Sequence, residues 1–171
     1  MSSKDQNLSS EKGENLSTVE KFHFAIIVSD WNDDITYSMR DACLETLKEY
    51  GALEENIHIH HVPGAYELPM GARICMSQEK VDAAICIGCV IKGETDHDIY
   101  INQAVATGIM NLGLTIKKPV IFGVLTPNTK QQALDRAGGK YGNKGVEAAM
   151  TAIKMVHLNQ HPGSKKSIGF R

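Results

Sequence analysis

The chain of 171 residues has no apolar run near the roughly 18 residues that a membrane-spanning helix requires. Its first residues also lack the apolar core of a signal peptide, so we expect a cytoplasmic protein with no membrane partner. An excess of charge of one sign is missing too. The 18 Lys and Arg residues against 20 Asp and Glu residues give a formal net charge of -2, which argues against nucleic-acid binding. The expected partners are small molecules or other protein chains.

Cysteine is scarce, with four residues that all lie in apolar surroundings. We expect reduced core residues at Cys43, Cys75, Cys86 and Cys89, since cysteine in such places behaves as a small hydrophobe. Cys86 and Cys89 form a C-x-x-C, but a redox pair needs a strand-to-helix turn and a structural zinc needs two further ligands. Neither a redox nor a metal function is therefore expected of this pair.

Histidine is more frequent, and three of the seven histidines cluster at His58, His60 and His61. On a strand, His58 and His60 share one face while His61 takes the other, because side chains alternate. A third ligand for a metal ion is then missing, so we expect no metal site there.

The length suits one domain with a single core. Residues 1–20 are polar and Ser-rich, and cannot bury enough apolar surface to offset the entropy lost on ordering. We therefore expect a disordered N-terminal extension over 1–20, a folded domain over 21–158 and a loose C-terminal tail over 159–171.

Apolar runs alternate with helical patterns between the two tails. Continuous apolar or β-branched runs predict four strands, at 22–29, 56–62, 81–91 and 119–126. Apolar stripes at helical spacing follow them, with the first helix expected to end at Gly51 and a later one at Gly113. Two more helices complete the pattern. Strict alternation predicts a three-layer α/β/α sandwich with a central four-stranded parallel sheet, of flavodoxin-like type, in which ligands bind beyond the carboxyl ends of the strands.

The ends of the first two predicted strands carry one aromatic and one acidic candidate. Trp31, the only tryptophan, can stack on a planar ligand or simply pack against the protein. Glu67 lies where the first turn of the next helix is expected, so it can cap that helix through the helix dipole or bind a polyol.

The third strand end combines an anion site with a titratable group. Residues 92–95 precede a helix whose free N–H groups favour a phosphate, and Thr95 or Asp96 can cap it. His97 follows, with an ordinary pKa near 6.5 that suits proton transfer, although a surface histidine at a helix start is the commoner case. Arg136, further on, can grip a phosphate or remain a solvated helix residue.

Five segments in one order resemble the lumazine synthase family of riboflavin biosynthesis: "WNDDIT", "VPGAYELP", "GCVIKGETDH", "PVIFGVLTPNT" and "RAGGKYGNKGVEAA". The resemblance covers about residues 22–157. It implies a condensation that uses no cofactor and no metal. The 5-amino group of 5-amino-6-(D-ribitylamino)uracil attacks the ketone of 3,4-dihydroxy-2-butanone 4-phosphate, and 6,7-dimethyl-8-ribityllumazine, phosphate and water are formed.

The resemblance also implies a role for each candidate residue. His97 matches the general acid/base, and Arg136 the arginine that holds the phosphate together with the backbone around Glu94 and Thr95. Trp31 matches the plate that stacks on the pyrimidine. Glu67 matches the carboxylate that binds ribityl hydroxyls, with Ala65 and Tyr66 beside it, and Val90 and Ile91 match the lining of the heterocycle. Phe122, Arg136 and Lys144 match residues that the adjacent subunit supplies.

Two positions depart from the family pattern as it stands in this sequence. Trp31 replaces the phenylalanine of most members but keeps an aromatic face. Ile99 stands where many members carry an acid, which leaves Asp98 to orient the His97 imidazole from another side. The turn after Arg136 has no inserted residues relative to the family members that form shells, which favours a shell.

The family assembles as homopentamers, some of which pack into 60-subunit shells, and riboflavin synthase is a candidate partner. Two alternatives stay open at this point. One is a non-catalytic lumazine or flavin carrier or shell protein, which has no need for His97 and Arg136. The other is a flavodoxin-like binding domain, which leaves the histidine unexplained.

Overall fold

The computed structural model of the chain describes residues 18–160. The predicted extension over 1–20 and the predicted tail over 159–171 therefore lie mostly outside the described residues. Within them, Val19 is fully buried and its backbone N–H donates to the carbonyl of Tyr50 at 3.1 Å. The packed part of the chain thus begins before residue 21.

Four parallel strands form the central sheet, in the order β2-β1-β3-β4. Their bounds are β1 Phe24–Ser29, β2 Ile57–Val62, β3 Ala83–Cys89 and β4 Val120–Leu125. All seven residues of β3 are buried, as a strand between two neighbours and two helical layers requires. The predicted four-stranded parallel sheet is confirmed.

Five helices surround the sheet: α1 Asp33–Glu49, α2 Leu68–Gln78, α3 His97–Ile116, α4 Lys130–Leu134 and α5 Lys144–Gln160. The α1 and α5 helices pack on one face of the sheet, and α2 and α3 pack on the other. This is the predicted α/β/α sandwich of flavodoxin-like type. Of the described helices, none is long and apolar enough to cross a membrane.

The first helix matches its predicted stripe and its predicted end. Met39, Cys43 and Leu47 are fully buried, because residues three and four apart share one helix face. The helix ends at Glu49, and Gly51 takes a φ of 89°, the left-handed conformation that glycine adopts without strain.

One glycine sets the distance between α1 and α5. A Cβ atom at Gly145 would overlap the carbonyl oxygen of Met39, so the two helices approach this closely only because residue 145 has no side chain. The contact holds the first turn of α5, which begins with Lys144, against α1.

Two features differ from the sequence-based expectation. Helix α3 does not end at Gly113 but continues to Ile116, because Leu112 and Ile116 on either side of the glycine pack into the core under α2 and α3, which outweighs the cost of roughly 1 kcal/mol for glycine in a helix. A short antiparallel hairpin, β5 Ala137–Gly139 with β6 Gly142–Asn143, also lies between α4 and α5 and was not expected.

Candidate active site

The carboxyl ends of β1 and β2 are tied together by the backbone. The N–H of Asp30 donates to the carbonyl of Val62 at 2.9 Å, and the N–H of Trp31 donates to that of Pro63 at 3.2 Å. The Trp31 side chain is 73% exposed. An indole this exposed does not serve the core, so its flat face is available to a ligand.

Asn32 joins the end of β1 to the end of β3, a role that was not predicted from the sequence. Its φ of 64° is left-handed, and its side-chain amide donates to the carbonyl of Cys89 at 2.9 Å. Asparagine is one of the few residues besides glycine that adopts this conformation readily. An asparagine directly before the first residue of a helix was the available signal.

The ends of β3 and β4 are linked in the same way. The N–H of Val90 donates to the carbonyl of Leu125 at 2.8 Å, and that of Lys92 donates to the carbonyl of Pro127 at 3.0 Å. Val90 and Ile91 are half-buried. The four strand ends therefore form one connected rim, with Val90 and Ile91 in its middle.

The segment after β2 contributes one buried and two exposed residues. Ala65 is 8% exposed, whereas Tyr66 is 62% exposed and Glu67 is also exposed. Glu67 was expected in the first turn of the helix, but it closes a 3-10 turn, Ala65–Glu67, directly before α2. Its carboxylate makes no capping hydrogen bond to α2, which leaves its oxygens open to a hydroxylated ligand.

The loop between β3 and α3 offers backbone donors. Within the part of the chain that the structure describes, the N–H groups of residues 93–96 donate to no protein acceptor. The predicted side-chain cap by Thr95 or Asp96 is wrong, since the carboxylate of Asp96 makes no cap and its backbone carbonyl accepts from Ile99 instead. Free N–H groups before a 20-residue helix create a favourable place for an anion.

His97 is the first residue of α3 and its imidazole is exposed. Neither an ion pair nor a hydrogen bond joins His97 to Asp98 among the described residues, and Ile99 is 47% exposed. Asp98 therefore does not orient the imidazole in the way that the sequence left open. The imidazole directly follows the loop of residues 93–96 with its free N–H groups.

The remaining three candidates lie elsewhere in the subunit. Phe122 and Lys144 border a groove of about 480 Å³ along the edge strand β4, between α3 and α5. Arg136 lies after α4, with its guanidinium carbon 4.9 Å from the centre of the Tyr141 ring. Phe122 pairs in register with Cys86, three residues before the end of β3, so it lies about 10 Å back from the rim.

A sequence model of 6,7-dimethyl-8-ribityllumazine synthase matches residues 21–160. The chain belongs to this family. The lumazine synthase family and the fold thus agree with the resemblance that the strand-end motifs suggested. The alternative of a non-catalytic carrier finds no support in the comparisons.

Three curated relatives show how far the similarity extends, and each bears the name 6,7-dimethyl-8-ribityllumazine synthase. The relative from Cytophaga hutchinsonii is 49% identical over 156 residues, which is 91% of this chain and 98% of the relative. That from Bacteroides fragilis is 52% identical over 133 residues, or 78% and 93%. That from Flavobacterium psychrophilum is 43% identical over 160 residues, or 94% and 85%.

The cysteines of this lumazine synthase family member belong to its core. All four are buried and unpaired. Burial raises the pKa of Cys86 and of Cys89 to about 12, which makes them poor nucleophiles and poor metal ligands at neutral pH. Both lie within β3, as predicted.

The three clustered histidines contact carboxylates on opposite faces of β2. His60 Nε2 lies 3.1 Å from Glu79 Oε1 and His58 Nδ1 lies 3.6 Å from Glu79 Oε2, whereas His61 Nδ1 lies 2.7 Å from Asp30 Oδ1. Over residues 18–160, no group of three or more potential ligands is arranged to hold a metal ion.

Proposed function

We propose that this chain condenses 5-amino-6-(D-ribitylamino)uracil with 3,4-dihydroxy-2-butanone 4-phosphate to give 6,7-dimethyl-8-ribityllumazine, the penultimate step of riboflavin biosynthesis. One observation carries the proposal. An exposed aromatic plate, an exposed carboxylate, unpartnered backbone N–H groups and an exposed imidazole stand along the same rim of the sheet, in a chain of the lumazine synthase family.

The pyrimidine substrate occupies the first part of the rim. Trp31 stacks on its ring, and the backbone of Val90 and Ile91 supplies hydrogen bonds at its edge. The ribityl chain runs toward the segment after β2, where the Glu67 carboxylate accepts hydrogen bonds from hydroxyl groups. Ala65 and Tyr66 flank that carboxylate and exclude water from the chain.

The phosphorylated ketone occupies the loop before α3. The N–H groups around Glu94 and Thr95, reinforced by the dipole of α3, hold its phosphate. Arg136 and Lys144 of the adjacent subunit add charge, since a guanidinium pairs with phosphate through two parallel hydrogen bonds. Phe122 of the same neighbour covers the site on its open side.

His97 transfers the protons of the reaction. The amine of the pyrimidine adds to the ketone and water leaves, which gives an imine. Loss of the proton from the carbon next to the imine expels the phosphate, and that carbon becomes a carbonyl. The ribityl-bearing nitrogen then attacks this carbonyl and closes the ring with loss of a second water. Each step needs a proton taken up or released next to the phosphate loop, where the His97 imidazole stands.

Two apolar surfaces support an assembly in which the site is shared. Met70 and Ile74 are exposed and lie four residues apart on α2, with Met70 60% exposed, and Tyr66 in the 3-10 turn before α2 is exposed as well. The groove along β4 carries exposed Met110 and Phe122. The two surfaces are different, as the interface of a head-to-tail ring requires. We propose that this ring is a homopentamer.

We also propose that residues 21–158 act as one catalytic domain in the cytoplasm. The four unpaired thiols support the location, because structural cysteines of proteins in oxidising compartments are usually bridged. Riboflavin synthase, which consumes the lumazine, is the proposed partner in the pathway.

The first test is direct. The purified chain is mixed with both substrates, lumazine is followed by its absorbance, and the particle mass is determined on the same sample. We expect lumazine formation by a pentamer or by a 60-subunit multiple of it. A particle that binds the pyrimidine but forms no lumazine would contradict the proposed reaction, and an active monomer would contradict the shared site.

A further inference from the structure

Asp30, the residue before the Trp31 plate, is held from three directions. Its N–H donates to the carbonyl of Val62 at 2.9 Å. Its side-chain Oδ1 accepts a hydrogen bond from the Tyr37 hydroxyl at 2.9 Å and lies 2.7 Å from His61 Nδ1. A carboxylate only accepts at neutral pH, so His61 Nδ1 carries the donated proton.

The two donors are anchored on rigid elements. Tyr37 lies on α1, packs against the core under that helix and meets the His61 ring edge-on, with ring centres 5.2 Å apart at 87°. The Arg40 guanidinium covers the Tyr37 ring at 4.4 Å from its centre. His61 belongs to β2, where it pairs in register with Val28. A helix and a strand therefore converge on one carboxylate in the loop between β1 and α1.

The charge states of Asp30 and Tyr37 keep the hydrogen bonds between these residues formed at neutral pH. The hydrogen bond from His61, followed by that from Tyr37, lowers the pKa of Asp30. The same contact with Asp30 raises the pKa of Tyr37, so the phenol keeps its proton. Hydrogen bonds to a charged acceptor are the stronger kind, although exposure reduces their strength.

Trp31 itself has little else to hold it. The residue is 73% exposed, and its position depends on the hydrogen bond from its backbone N–H to Pro63 and on the anchored residues on either side. We propose that Asp30, Tyr37 and His61 are positioning residues that immobilise the Trp31 plate and thereby set the affinity for the planar substrate. This inference rests on the proposed stacking role of Trp31. An indole that is already immobile loses less conformational entropy when the pyrimidine ring of the substrate binds.

The only tryptophan of the chain makes the inference measurable, because fluorescence excited at wavelengths that tyrosine does not absorb reports on Trp31 alone. The variants are Tyr37→Phe, which removes one hydroxyl, Asp30→Asn, which keeps an acceptor for Tyr37, and Asp30→Ala, which removes both contacts. The matched control is Glu79→Gln, which alters the other histidine–carboxylate contact on β2, at 3.1 Å from His60.

Time-resolved fluorescence anisotropy and steady-state kinetics are measured on the assembled protein. We expect Trp31 to move faster in all three variants than in the unaltered chain. The increase should be largest in Asp30→Ala and smaller in Asp30→Asn and Tyr37→Phe. The KM for the pyrimidine should rise by about 2- to 10-fold, the usual effect of one or two lost hydrogen bonds. The KM for the phosphorylated ketone and kcat should not change, and Glu79→Gln should behave as the unaltered chain.

Unchanged Trp31 motion in Asp30→Ala would overturn the inference whatever the kinetics show. Increased motion with an unchanged KM for the pyrimidine would also overturn it, provided that Trp31→Ala raises that KM. If Trp31→Ala leaves the KM unchanged too, the stacking role in the proposed function fails, and the motion of Trp31 alone decides whether the three residues immobilise it.

Discussion

The exposed residues of the site depend on buried neighbours for their positions. His97 is exposed, but it stands at the start of a helix whose Val105 and Ile109 are buried against the sheet. Trp31 is exposed between two anchored residues. Exposure leaves these groups available to substrates, and the packing behind them fixes where they stand.

Replacing His97 tests the proton-transfer role. We expect His97→Ala to lower kcat by about 10- to 1000-fold, the usual effect of losing a general acid/base group. The particle mass should not change, because the imidazole is exposed and contributes nothing to the core. The measurement is lumazine formation over a range of pH.

The matched control for His97 is His60→Gln. This substitution changes an imidazole on β2 that contacts Glu79 and does not belong to the proposed site. Its turnover should equal that of the unaltered chain. Unchanged turnover in His97→Ala would remove His97 from the mechanism, and an altered particle mass would mean that the residue serves the assembly.

Among the structural elements, the strands were the easiest to predict from the sequence. The run ending at Cys89 is apolar without interruption, and only a strand covered on both faces tolerates that pattern. The end of α3 was harder, since Gly113 predicts a stop while burial of Ile116 carries the helix past it. Local propensity loses wherever tertiary packing supplies more free energy.

The site could be predicted only as far as its segments. Motifs at the strand ends located Trp31, Glu67 and His97 on one rim, because parallel strands end at the same edge. The hydrogen bond from Asn32 to Cys89 and the contacts of Tyr37 and His61 with Asp30 could not be predicted in this way, because they join residues that only the fold brings together. Single residues far apart in the sequence, such as Asp30 and His61, carry no periodic signal that links them.

The buried thiols give a prediction at the scale of elements. Burial raises the pKa of Cys86 and Cys89 on β3 to about 12 and raises that of Cys43 on α1 as well. At pH 8 the native protein should therefore not react with a chromogenic aromatic disulfide. In denaturant, all four thiols of the chain should react.

The time course of thiol release distinguishes the possibilities. Slow release of the coloured aromatic thiol from the reagent, at the rate of global unfolding, would agree with a core location of the cysteines. Fast release of two equivalents from the native protein would contradict it and would revive a redox role for the C-x-x-C of Cys86 and Cys89. The denatured sample serves as the internal control for the total.

At the scale of the whole molecule, the proposed site draws on two parts of the chain. His97 and the loop of residues 92–96 follow β3 on the side of α2 and α3. Lys144 begins α5 and pairs with Glu147 at 2.7 Å, and Phe122 lies on the edge strand. The proposed head-to-tail ring joins the first part of each subunit to the second part of its neighbour.

A shared site predicts that two impaired variants restore activity when they are mixed. His97→Ala and Arg136→Ala are co-expressed with different affinity tags, and mixed particles are isolated through both tags. With random mixing in equal amounts, about a quarter of the interfaces combine an intact His97 with an intact Arg136 from the next subunit, since the two halves come from independent chains. We expect activity near that fraction of the unaltered level. Each variant carrying both tags, isolated in the same way, should keep only its own residual activity. Mixed particles with no more activity than either variant alone would place both residues in a site within one subunit.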